Sequence, residues 1–243
     1  MSEPPTTNSR RLDDIHPSPN IQGDPDLYEI ENLAADPDGL VEQAMWRIAP
    51  WADQTVLDLG AGTGFHVPRF HDAARQVIAV EPHGPSRLRA MRRIVDLGLE
   101  RASVVMGSAA AIPLPDASVD VLHARFAYFF GPGCEPGLAE IQRIIRPGGT
   151  AFIIDNDLRG GAFAGWLRRA PEWQQIDPDA IEAFWSSHGF AIERIASEWR
   201  FRTRPHLEAV IRLELPEDVA DNVLRDHTGL SVAYHYLLLH RTF

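Results

Sequence analysis

Apolar and polar positions along the chain change period repeatedly. Over residues 40–49, Leu40, Val41, Ala44, Met45 and Ile48 recur at helical spacing, with Asp38 ahead of them as a candidate cap and Pro50 as the stop. After this, short β-branched runs at 55–59, 77–80, 104–106, 119–122 and 150–154 predict strands. Between them, 67–74, 86–97 and 138–145 carry apolar residues every three or four positions, and Pro147-Gly148-Gly149 stops the last. Residues 191–195 and 231–240 predict two final strands. Strand and helix in alternation imply a doubly wound parallel sheet. Residues 1–25 are too polar and proline-broken to nucleate a core and read as a flexible arm, which leaves 26–243 as one domain. Within that domain the tryptophan-bearing stretch at about 156–189 predicts a helical insertion able to cover a substrate, and no internal repeat is present.

Composition narrows the chemistry. The chain is 44% hydrophobic and 23% charged, and all 23 basic residues are arginine. Without lysine there is no Schiff base, no pyridoxal phosphate attachment point and no P-loop amine. A net charge of −11 opposes a general affinity for nucleic acid backbone, and Arg87, Arg89, Arg92 and Arg93 read as a solvated helix face. Cys134 stands alone, so no internal disulfide forms. Met1 to Pro5 lack the basic start of a secretory signal, and the longest apolar run, 232–239, is interrupted by Tyr234, His235 and Tyr236. The expectation is a cytoplasmic protein with no membrane span.

The strongest local signal is Val56-Leu57-Asp58-Leu59-Gly60-Ala61-Gly62-Thr63-Gly64, a buried strand running into a glycine-rich turn that opens a helix. Residues without a Cβ let the backbone turn sharply against a ligand, while the following helix offers unpaired N–H groups. Glu81 follows at the end of the second strand, where a carboxylate accepts from both hydroxyls of an adenosine ribose. Together these features predict a nucleoside-containing cofactor. The dinucleotide fingerprint wants glycine or alanine at position 65, which is Phe65 here.

The pattern Gly-x-Gly-x-Gly resembles the class I S-adenosylmethionine-dependent methyltransferases, particularly the small-molecule branch. The resemblance runs from about Tyr28 to Arg159 and includes Glu81, the segment from Gly107-Ser108-Ala109 through Ile112-Pro113-Leu114-Pro115, Asp120, and Arg146-Pro147-Gly148-Gly149. It implies an α/β, doubly wound, mostly parallel seven-stranded Rossmann-like sheet with helices on both faces and an antiparallel last strand. It further implies that Asp58 and the loop Gly60, Ala61, Gly62, Thr63 and Gly64 hold the methionine part of S-adenosylmethionine. Glu81 and Pro82 then belong to the ribose site, Ser108 and Ala109 to the adenine site, and Tyr28 to the cofactor's cover. Ser108 stands where many members carry aspartate, and its hydroxyl forms a weaker neutral bond. Asp120 reads as structural.

Ligands of such sheets lie beyond the strand ends where strand order reverses. His123 is therefore the candidate base, Arg125 a group orienting an acidic acceptor, and Tyr128, Asp155 and Asn156 further acceptor contacts. Methyl transfer is an in-line displacement that needs a base only if the acceptor loses a proton. Asp155-Asn156 resembles part of the metal site of catechol-type enzymes, yet the aspartate those enzymes take after strand four is absent, so no metal is expected. Nor does strand four lead into the Pro-Pro motif that stacks a flipped base, which argues against DNA methylation. Trp166, Trp173, Phe184 and Trp185 are candidates for a pocket wall, and Tyr28, Glu31 and Asn32 for a lid. The partner expected is a small organic acceptor; the alternatives are a degenerate fold acting as sensor or scaffold and an NAD-dependent oxidoreductase.

Overall fold

The structure is a computed structural model that describes residues 18–243, so most of the arm expected over 1–25 lies outside it. The described part of that stretch is helical. Helix α1 (Pro19–Gly23) leads into α2 (Pro25–Ala34), each with proline in its first turn, where a missing N–H breaks no intrahelical bond. Asp24 caps α2 by accepting from the Leu27 N–H at 2.9 Å. Helix α3 (Leu40–Ile48) is capped by Asp36 rather than Asp38: its two oxygens accept from the N–H groups of Leu40 at 3.1 Å and Val41 at 2.9 Å. The intervening turn, with Gly39 at φ +67°, folds Asp36 over the open end of the helix and leaves Asp38 to pair with Arg200.

The alternating region comprises β1 (Thr55–Leu59), α4 (Val67–His71), β2 (Gln76–Val80), α5 (Gly84–Asp96), β3 (Ala102–Val105), β4 (Val119–Arg125), α6 (Glu135–Ile144) and β5 (Ile145–Gly160). It continues with α7 (Gly161–Leu167), α8 (Pro171–Gln174), α9 (Pro178–Ser187), β6 (Ala191–Arg200), α10 (Arg204–Glu214), α11 (Glu217–Asp226) and β7 (Ser231–Thr242). One seven-stranded sheet runs in the order β3-β2-β1-β4-β5-β7-β6. Pairing from β3 through β5 is parallel, and β7 lies antiparallel to both β5 and β6, as expected of the last strand. Every residue of β1 is buried, because helices cover both faces of a central parallel strand.

Several elements differ from the sequence reading. Residues 155–160 extend β5 instead of opening the helical insertion, since Asp155 and Asn156 pair with Leu237 and Tyr236 of β7. Helices α7, α8 and α9 begin only after them. Strand β4 continues to Arg125, whose pairing with Ile154 carries it past His123. Helices α10 and α11 were not expected at all; their buried residues, among them Leu207, Val210, Ile211, Val219 and Val223, join the core that also holds Trp199 and Tyr234. No described helix is long and apolar enough to cross a membrane.

Candidate functional site

Beyond the end of β1 the chain turns through Gly60, Gly62 and Gly64 at φ +72°, +55° and +74°, a region that favours glycine. The turn is stitched to β2: the N–H groups of Gly60 and Ala61 both donate to the Val80 carbonyl, at 2.8 and 3.1 Å. Space is as restrictive as conformation. A Cβ on Gly60 would lie 2.4 Å from Ala127 Cβ, and one on Gly62 would lie 2.6 Å from Ile21 Cδ1 of α1.

Glu81 follows β2 directly. Its Oε2 accepts from the Gly62 N–H at 2.8 Å and its Oε1 from the His83 N–H at 2.7 Å. Burial pushes this carboxyl above the usual glutamate range while the two backbone donors pull the other way. An ionised carboxylate has about four lone-pair sites, so each oxygen keeps acceptor capacity beyond its backbone bond.

Across the glycine turn, β4 ends at Arg125 and leads into Phe126, Ala127 and Tyr128. Phe126 at φ +49° and Tyr128 at φ +62° are bulky side chains in the left-handed region, at a cost of about 1–2 kcal/mol each. Such strain persists where surrounding contacts over-determine it, and here Gly137 makes the room: a Cβ there would lie 2.6 Å from the Tyr128 ring.

These segments enclose a cavity of about 540 Å³. Gly60, Ala61, Gly62, Thr63, Glu81, Pro82, Ser108, Ala109 and Tyr28 line it, as do Arg125, Tyr128 and Asn156. The Ser108 hydroxyl is buried with no hydrogen-bond partner among the described residues. A glycine cradle that a Cβ would fill, an acidic group against it and an orphaned buried hydroxyl fit a nucleoside-bearing cofactor.

Other expected residues stand elsewhere. Gly64 does not line the cavity; a Cβ there would meet Ala90 Cβ at 3.0 Å, so it serves the close approach of α5. Thr63 reaches the cavity, but its hydroxyl donates to Glu29 of α2, which also pairs with Arg93 at 2.7 Å and so ties α2 to the loop and to α5. His123, the expected base, is a correction. Its side chain is 3% exposed, its Nδ1 lies 2.9 Å from Asp58 Oδ1, and its ring packs near those of His66 and Phe70. Because β4 runs to Arg125, three residues past the expected 119–122, Arg125 rather than His123 occupies the strand end. Asp58 is likewise outside the cavity lining, with a buried Oδ2 that has no partner among the described residues. Asp155 is also displaced from the cavity: its Oδ1 accepts from the Asn156 N–H at 2.7 Å, and burial pushes its carboxyl up to about 6. Of the four aromatic residues expected in a pocket wall, Trp173 lines the cavity, whereas Trp166 and Trp185 are core residues.

The sequence reading passed over several lining residues: Asn20 and Ile21 in the supposed arm, His66, Glu214 and Tyr234. Burial lowers the His66 imidazole to about 4, against the upward pull of the nearby Glu42. The Tyr234 hydroxyl donates to Asn156 Oδ1. For Glu214 a signal existed. It falls on the same face of α10 as the buried Leu207, Val210 and Ile211, and an acidic residue on an apolar face invites a functional reading.

Residues 57–153 match a family model described as a methyltransferase domain. An uncharacterized methyltransferase of Mycobacterium tuberculosis is 34% identical over 142 residues, 57% of this chain and 54% of that protein. The chain thus spans about half the length of the curated relatives it matches. Among solved structures, a SAM-dependent methyltransferase from Aquifex aeolicus superposes with a TM-score of 0.56 at 18% identity, covering 88% of this chain and 98% of that one. The [4+2]-cyclase SpnF does so with a TM-score of 0.61 at 16% identity, covering 84% and 81%.

Proposed function

Because the chain belongs to the class I S-adenosylmethionine-dependent methyltransferases, we propose that its cavity takes S-adenosylmethionine together with a small organic acceptor and joins the methyl group of one to the other. Glu81 accepts the ribose hydroxyls, Ser108 and Ala109 face the adenine, and the turn from Gly60 to Thr63 follows the methionine part. The bound cofactor supplies a methyl group on a positively charged sulfur, open to in-line displacement.

The chain's own contribution is placement and exclusion of water. Arg125, Tyr128 and Asn156 border the acceptor's share of the cavity. Asp58 and His123, joined behind the glycine turn, act as positioning residues that hold the ends of β1 and β4 together. Helices α1 and α2 cover the cofactor, with Ile21 against Gly62 and Glu29 latched to Thr63. The observation that carries this reading is the 2.8 Å bond from the Gly62 N–H to Glu81 on the cavity wall, which sets the acidic group against the glycine turn.

The fold alone does not commit the chain to methyl transfer, since a [4+2]-cyclase shares it. Incubation of the full chain with methyl-labelled S-adenosylmethionine and a panel of small oxygen, nitrogen and carbon acceptors tests the proposal. Label appearing in an acceptor supports it. Tight cofactor binding with no transfer to any member of a broad panel would instead favour a sensor or scaffold.

A further inference from the structure

Two carboxyl groups from separate, mutually packed elements, Glu31 of α2 and Glu214 of α10, line the same cavity and act on one another's ionisation. Two carboxylates in contact cannot both stay ionised in a buried site. Asn20 donates to Glu214, which favours the charged form there. Glu31 is only 8% exposed, and its Oε2 has no partner among the described residues. The pair therefore holds one proton, on Glu31, and one negative charge, on Glu214. Desolvation raises both groups above the ordinary carboxylate range.

The charged and titratable groups around the pair are Arg125 of β4, Tyr28 of α2, and Tyr234 and Tyr236 of β7. Arg125 has no carboxylate within ion-pair distance among the described residues, and its guanidinium sits over the Tyr236 ring, 4.8 Å from the centroid. A guanidinium without a carboxylate partner of its own can face an oxyanion that develops on the acceptor.

We propose that the Glu31–Glu214 pair takes the proton of the methyl acceptor, and that the acceptor's nucleophile is an acidic hydroxyl, a phenol or enol, whose developing charge faces Arg125. This rests on the cofactor reading given above. In the step, the acceptor's O–H bond breaks and its proton passes to Glu214, while the oxygen's electron pair forms the bond to the methyl carbon. The electron pair of the broken carbon–sulfur bond stays on sulfur, and one proton leaves the doubly protonated pair to solvent as product departs. Phe126, Tyr234 and Trp173 in the wall suit a flat acceptor.

Two measurements on the full chain test the pair and the acceptor separately. Infrared difference spectra need no cofactor: at neutral pH the wild type should show the carbonyl band of a protonated buried carboxylic acid that Glu31→Gln removes. Absence of that difference overturns the shared proton. Methyl transfer to a series of phenols of graded acidity should fall about 100-fold or more in Glu214→Gln for weakly acidic members, the scale of general base catalysis. The loss should shrink as the phenol becomes ionised at the assay pH; an equal loss across the series overturns the base role. Titration of the same samples with S-adenosylhomocysteine reads the cofactor site independently. A wild type that binds it yet methylates no phenol or enol overturns the acceptor class. Should Glu214→Gln fail to fold, Glu214→Asp, which keeps the carboxylate but draws it back by one methylene, carries the same series, with the loss again expected to shrink as the phenol ionises and an equal loss across the series again overturning the base role.

Discussion

Replacing Glu81 by glutamine isolates the charge of one side chain while keeping its shape. In the wild type, one oxygen accepts from Gly62 and the other from His83, at 2.8 and 2.7 Å. Glutamine keeps one oxygen and turns the other into a donor, which then faces a backbone N–H and can accept nothing from a ribose hydroxyl. A hydrogen bond to a charged group contributes about 1.5–3 kcal/mol. Losing one such bond to the ribose and weakening the other should cost binding about 2–4 kcal/mol, or at least ~30-fold in Kd. Fold stability should fall by less, because the neutral amide also escapes the burial that raises the carboxyl's pKa. A loss of about 1–2 kcal/mol from the stranded N–H lowers the Tm of a chain this size by roughly 2–8 °C. Calorimetric titration with S-adenosylhomocysteine reads the first quantity and thermal unfolding the second. A Kd within threefold of wild type in a folded variant would refute the ribose role. Binding should also weaken on acidification at a higher pH than for an ordinary glutamate, since the carboxylate is the accepting form.

Further expectations follow from the same geometry. Gly60→Ala places a Cβ 2.4 Å from Ala127 at φ +72°, so binding of S-adenosylhomocysteine by calorimetry should be abolished, and an unchanged Kd would contradict the packing. His66 is held neutral down to about pH 4 against an unfolded value near 6.5, so the unfolded state binds more protons in that window and stability falls as pH drops through it, by up to about 3 kcal/mol. Asp155, raised to about 6 from 3.8, acts oppositely and adds stability on acidification between those values. Denaturant unfolding across pH 4–7 should therefore show His66→Gln and Asp155→Asn changing the slope in opposite directions; parallel changes would contradict the assignments. Trp199→Ala empties a fully buried site where the ring lies 4.6 Å from those of Phe163 and Tyr234, and should cost about 3–5 kcal/mol in chemical unfolding. Limited proteolysis within residues 18–34 should slow on adding S-adenosylhomocysteine, because Ile21 and Glu29 close on the glycine turn. Equal rates with and without it would remove α1 and α2 from the cover.

The parts legible in the sequence were those set by local periodicity. Gly60-Ala61-Gly62 and Glu81 announce themselves because a turn at positive φ favours glycine and a carboxylate stands out directly after a buried apolar strand. The seven strands followed from short apolar runs, and the antiparallel course of β7 from the family resemblance. What depended on distant pairing was not legible. The extension of β4 that turned His123 toward Asp58 rests on β5, and the strand at 155–160 rests on β7, some eighty residues later. Glu31 drew attention only as part of a lid, since its meeting with Glu214 needs α10 to pack against α2. Ile21 and Asn20, in a proline-broken stretch, gain their helix from the cavity they close rather than from propensity.

Calorimetric titration of the full chain with S-adenosylhomocysteine, run beside NAD, tests the central claim most directly. The geometry at Gly62 and Glu81 requires saturable binding of S-adenosylhomocysteine at one site per chain, with no heat from NAD. No binding of S-adenosylhomocysteine to a folded sample, or saturable binding of NAD in its place, would contradict the cofactor assignment and leave only the fold.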